Sequence, residues 1–172
     1  MLCAIAKLSE EATKELESVR RMALPEDIKV KPLYGHITVA SYIGENDKRF
    51  IQKCSELLEG MPPFVIKYDK IEVLEETFII VASMTDPGLL GAIHKVIASW
   101  YDEELDQWTG SDSWYPHTTL LYSPDLDLQS ICGKMNESFE PFSAKIHRID
   151  FSKVTEHGYE IVGSADLLSN NE

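Results

Sequence analysis

The chain has 172 residues, 44% of them apolar and 26% charged, which fits a globular protein and excludes a disordered, collagen-like or coiled-coil one. Its formal net charge of −13 opposes long-range attraction of a polyanion, so no extended nucleic-acid platform is expected. A small phosphorylated ligand held in one cleft remains compatible with that charge. No apolar run approaches the roughly 20 residues of a membrane span, and the opening MLCAIAKLSEE lacks the basic region of a signal peptide. A cytoplasmic protein without a membrane partner is expected. Cys3, Cys54 and Cys132 are too widely spaced for a zinc or redox motif and fall at apolar positions, which predicts free, buried thiols.

In chain order, the first helix is predicted to start at Ser9 and to carry Ala12, Leu16, Val19 and Ala23 on one stripe. The run GHITVA then reads as a strand containing His36 and Thr38. A second helix near 46–59 aligns Phe50, Cys54, Leu57 and Leu58. The stretch PPFVIKYDKIEVLEE follows, in which Phe64, Ile66 and Tyr68 give way to Ile71 and Val73. That change of parity predicts a β-bulge. After a turn at 75–77 and the strand FIIVASM (78–84), Asp86 is the expected cap and Pro87 the first turn of a third helix. Its stripe is Leu90, Ile93, Ile97 and Trp100.

From there the chain nearly repeats itself. PHTTLL puts His117 and Thr119 in a strand 81 positions after His36 and Thr38. A fourth helix near 127–139 aligns Leu128, Ile131, Cys132, Met135 and Phe139. EPFSAKIHRIDFSKV then matches PPFVIKYDKIEVLEE at an offset of 78, with the same change of parity. After a turn at 155–158, YEIVGSA (159–165) resembles FIIVASM. The expected fold is α+β: a single domain of two pseudo-symmetric repeats, 1–76 and 77–158, completed by a C-terminal strand at 159–168. Antiparallel sheets backed by helices would enclose a central groove.

Alternate residues of a strand share a face, so Tyr34, His36 and Thr38 point together, as do Tyr115, His117 and Thr119. Two imidazoles facing one groove can supply both the base and the acid for displacement at phosphorus. Two hydroxyls can hold the non-bridging oxygens. The paired motifs GHITVA and PHTTLL resemble the 2H phosphoesterase superfamily, the LigT-like or 2′-5′ RNA ligase family, over nearly the whole chain. That resemblance implies metal-independent action on a 2′,3′-cyclic phosphate, a 2′-5′ linkage or a related nucleotide or RNA end. It casts His36 as proton donor, His117 as acceptor, and Thr38 and Thr119 as phosphate ligands. One departure stands out: Gly35 precedes the first histidine, where many relatives have proline, as here at Pro116.

Tyr34 and Tyr115 are candidate substrate contacts, through stacking or a hydrogen bond. Trp108 and Trp114, in the segment 102–116, are candidates for a lid or base platform, with burial as the other reading for Trp114. Lys29 and Lys31 read as exposed strand-edge residues. His94, His147 and His157 are assigned to structure. No cofactor or metal is expected, because the histidines lack close ligand spacing, and the protein is expected to be a monomer. The competing reading is a non-catalytic module that binds a nucleotide or RNA end in the same groove.

Overall fold

A computed structural model describes residues 1–74, 76–156 and 158–168. The first half runs β1 (Leu2–Leu8), α1 (Glu10–Ala23), β2 (His36–Tyr42), α2 (Asp47–Leu58), β3 (Phe64–Tyr68) and β4 (Lys70–Val73). The second runs β5 (Ile79–Ser83), α3 (Gly88–Tyr101), β6 (His117–Tyr122), α4 (Leu128–Ser138), β7 (Phe142–Thr155) and β8 (Gly158–Asp166). The expected α+β fold with antiparallel sheets is what forms. The expected turns at 75–77 and 155–158 each include a residue outside the described set, Glu75 and His157.

Helix ends follow local chemistry. Ser9 has extended backbone and its hydroxyl accepts from the Ala12 N–H at 3.3 Å, satisfying a donor that the helix itself cannot. Asn46 and Asp127 cap α2 and α4 in the same way. At α3 the start differs from expectation. Pro87 occupies the cap position with no side-chain bond, and Asp86 accepts from the Gly88 N–H from one residue further out. Trp100 is also not on the buried stripe. Ile93, Ile97 and Tyr101 follow each other at four-residue steps, which turns Trp100 outward beneath the Lys53 ammonium, 4.5 Å from its ring centre.

The larger sheet has the order β2-β1-β7-β3, with β8 also on β7, and the smaller has β4-β5-β6. The two parity changes have different outcomes at matched places. In the first half the ladder breaks at Asp69, and the chain passes from β3 in one sheet to β4 in the other. In the second half β7 stays whole, with a bulge where Leu8 faces Ile146 but Ala6 faces Ile149. The halves thereby share strands: β4 of the first pairs with β5 of the second, and β7 of the second pairs with β1 and β3 of the first. Leu16, Ile37, Phe50, Ile80, Met135 and Phe151 are enclosed between sheets and helices. Each such side chain contributes about 1.5–3 kcal/mol of burial. The three cysteines are free and buried. Among the described residues no helix is long and apolar enough to cross a membrane.

Candidate active site

His36 and His117 are the first residues of β2 and β6. The tyrosines two residues earlier therefore lie just before the strands, and their carbonyls are free of the ladder. Each histidine uses that freedom identically. His36 Nδ1 lies 2.8 Å from the Tyr34 carbonyl and His117 Nδ1 lies 2.7 Å from the Tyr115 carbonyl. A carbonyl oxygen only accepts, so both Nδ1 atoms carry hydrogen, and Nε2 is the nitrogen left to exchange a proton. Both rings are half-buried. Thr38 is half-buried and Thr119 is exposed, while Ile37, Val39, Thr118 and Leu120 on the opposite faces are buried.

The two strands are joined directly. Thr118 Oγ1 donates to the His36 carbonyl at 2.8 Å and shares a 2.6 Å hydrogen bond with the buried Tyr68 hydroxyl. Trp114 Nε1 donates to the Thr38 carbonyl at 2.9 Å, and its ring stacks on His94 at 4.1 Å. His94 in turn donates from Nδ1 to the Val39 carbonyl, as a packing residue would. Trp114 is therefore a strut between the halves. Trp108, in contrast, is 61% exposed. It borders a cavity of about 470 Å³ beside His117, whose wall also includes Thr38, Phe78, Trp114 and Tyr122.

The surroundings of the two imidazoles differ. Lys7 is the strand partner of His36, and its ammonium lies 3.8 Å from the centre of the Tyr34 ring. Tyr34 stacks on Tyr159 of β8, and both rings adjoin His36. Ser83 is the strand partner of His117. It donates to Glu72 at 2.5 Å, and the Tyr115 hydroxyl donates to the same carboxylate oxygen. Burial holds both imidazoles below their ordinary pKa against the raising effect of the carbonyl bonds. The charges of Lys7 and His117 lower His36 further, whereas Glu72 counteracts the fall at His117. Burial would raise the Glu72 carboxyl, but hydroxyl donation from Ser83 and Tyr115 outweighs it and leaves the group below its usual range.

The candidate residues thus come together in two matched clusters. Gly35 has a steric cause, since a Cβ there would overlap the Thr13 hydroxyl of α1. Lys29 and Lys31 are exposed but belong to no strand; the ammonium near the histidines is that of Lys7. His147 is exposed on β7, and His157 lies outside the described residues. Lys7, Glu72, Ser83 and Tyr159 were missed. The repeat offset of 78 places Glu72 opposite Asp150 and could have flagged the carboxylate. Among the described residues no group of three or more histidine, cysteine or acidic side chains could hold a metal.

The fold is shared with several crystal structures. A phosphoesterase matches with a TM-score of 0.67 and 18% identity, over 98% of this chain and 98% of that one. LigT from E. coli complexed with 3′-AMP matches at 0.63 and 18%, over 98% and 97%. LigT complexed with NADP+ matches at 0.64 and 18%, with the same coverage. Among curated proteins none matches significantly. The sequence pattern of the 2′-5′ RNA ligase superfamily matches residues 8–158, a span that holds both histidine strands, and the chain belongs to that superfamily of 2H phosphoesterases.

Proposed function

We propose that this chain is a phosphoesterase that opens a 2′,3′-cyclic phosphate or cleaves a 2′-5′ linkage on a small nucleotide or RNA end. The observation that carries the reading is the matched pair of imidazoles on adjoining strands. Each has Nδ1 fixed to a carbonyl, Nε2 left over and a threonine two residues on. Displacement at phosphorus needs one proton taken from the attacking oxygen and one given to the leaving oxygen. His36 and His117 perform those transfers without a metal, while Thr38 and Thr119 donate to the non-bridging oxygens. Tyr34 and Tyr115 hold their histidines through their carbonyls and wall the groove.

The aromatic cavity beside His117 suits a nucleobase. Similar structures hold 3′-AMP and NADP+, which supports a nucleotide ligand here. The two repeats act as one unit, since each completes the other's sheet. The test is incubation with 2′,3′-cyclic mononucleotides and 2′-5′ dinucleotides in EDTA. Conversion to a phosphomonoester or to separated nucleotides is expected. Binding without turnover would make the chain a nucleotide-binding module, and activity lost to the chelator would overturn the metal-free mechanism.

A further inference from the structure

The duplication brings an aromatic pair to each flank of the two histidines. At the repeat offset of 81, Tyr34 corresponds to Tyr115 and Phe78 corresponds to Tyr159. The tyrosine of each pair lies just before a histidine strand. Its companion stands at the start of a hairpin's returning strand, Phe78 just before β5 and Tyr159 within β8. The first hairpin delivers Phe78 to the His117 side, and the second delivers Tyr159 to the His36 side. Neither ring adds to the core: Tyr159 is 58% exposed and Phe78 55%, yet both lie against the groove.

The two flanks differ in shape. Beside His117, Phe78 joins Trp108, Tyr115 and Tyr122 around the 470 Å³ cavity, which is large enough to enclose one nucleobase. Beside His36 there is a platform instead. Tyr34 and Tyr159 lie nearly parallel, 13° apart with ring centres separated by 5.9 Å, and stand 5.1 and 6.0 Å from the imidazole. The Lys7 ammonium, 3.8 Å from the centre of the Tyr34 ring, holds that ring by cation–π attraction. The pair is already stacked, so what it offers a ligand is the exposed side of Tyr159, on which any base can stack.

We propose that Tyr159, supported by Tyr34 and Lys7, is a second nucleobase platform. The groove then takes a dinucleoside monophosphate, with one base in the cavity beside His117, the bridging phosphate at the histidines and the other base on Tyr159. The proposal rests on the nucleotide reading of the groove and deepens it. It selects a ligand with a nucleoside on each side of the phosphate, which a 2′-5′ linkage supplies and a cyclic mononucleotide does not. Stacking recognises a π-face rather than a hydrogen-bonding edge, so the second base is chosen weakly by identity. The cavity, with Asp106, Thr109 and Ser113 in its wall, has polar groups that can read the edge of the first.

Calorimetric binding in EDTA tests this without turnover. The probes are a hydrolysis-resistant adenylyl-(2′-5′)-adenosine phosphorothioate and the charge-matched adenosine 2′-methyl phosphorothioate, which lacks the second nucleoside. The dinucleoside probe should bind on the order of 10-fold more tightly, the gain expected of one more stacked base. Tyr159→Ala should remove most of that advantage, whereas Tyr159→Phe keeps the ring and should retain it. Phe78→Ala should weaken both probes together, because both use the cavity. A dinucleoside probe that binds no more tightly than the methyl ester, or whose advantage survives Tyr159→Ala, would overturn the platform while leaving nucleotide binding in place. Failure of both probes to bind would instead overturn the nucleotide reading, and the platform with it.

Discussion

The histidine of the first half and that of the second are held by the same local bond on unlike supports. Each Nδ1 is fixed by the carbonyl two residues before it, although Gly35 intervenes in one case and Pro116 in the other. One residue outward the likeness ends: His36 has a lysine as strand partner and two stacked tyrosines alongside, whereas His117 has a serine, a carboxylate and an open aromatic cavity. Geometry is thus set by backbone that the repeat reproduces, and electrostatics by side chains that it does not. A pair built this way can keep two rings in register while giving each a different affinity for the proton.

The largest effect should come from breaking either member of the pair. His36→Ala and His117→Ala should each cost on the order of 10²–10⁴-fold in kcat/KM on an active cyclic phosphate. Because both act in one transition state, the double variant should fall far short of the product of the two losses. Near-wild-type turnover in either single variant would end the two-histidine account. Thr38→Val and Thr119→Val keep shape but remove one donor each, so a loss at or below about 10²–10³-fold, smaller than at the histidines, is expected, seen mainly in kcat. Equal losses at threonine and histidine would indicate that binding, not proton transfer, dominates.

A stability comparison sharpens the contrast at the residues before the histidines. Gly35→Ala drives a methyl into Thr13 and should cost about 1–3 kcal/mol in urea unfolding. Pro116→Ala introduces no such overlap, because a Cβ is already there, and should cost less. If Gly35→Ala proved harmless, crowding against α1 would not be what keeps a side chain out of that position.

How far the sequence revealed this can be judged from the same residues. Periodicity located the four helices, and repeat matching located both histidine strands, because such signals lie in neighbouring residues. The parity changes at 68–71 and 146–149 were visible, but not that one breaks the ladder while the other only bulges. That depends on which strand lies alongside. Lys7 and Glu72 were missed for the same reason, since their proximity to the histidines comes from strand pairing across long sequence distances. Trp100 looked apolar enough for the stripe and yet faces outward, because Tyr101 holds the buried position.

The smallest expected effect concerns the seam between the halves, where His94 differs from His36 and His117 in being fully buried. It is buried, donates from Nδ1 to the Val39 carbonyl and stacks on the tryptophan that tethers residues 102–116 to β2. Its Nε2 has no hydrogen-bond partner, so a proton added there would be a buried charge with nothing to accept from it. Burial accordingly lowers its pKa, against the raising effect of the carbonyl bond and of Asp102. A lowered folded-state pKa means that the unfolded chain binds the proton more readily. Stability is then complete above the unfolded value of about 6.5 and declines as pH falls through the folded one. His36 and His117 are shifted in the same direction and add to the slope. Thermal unfolding between pH 7.5 and 5 should therefore show a falling Tm, and His94→Gln should flatten part of that slope while lowering the Tm at pH 7.5. Parallel slopes in the two proteins would mean that His94 takes up its proton without loosening the seam, and the acid sensitivity would then belong to the groove pair alone.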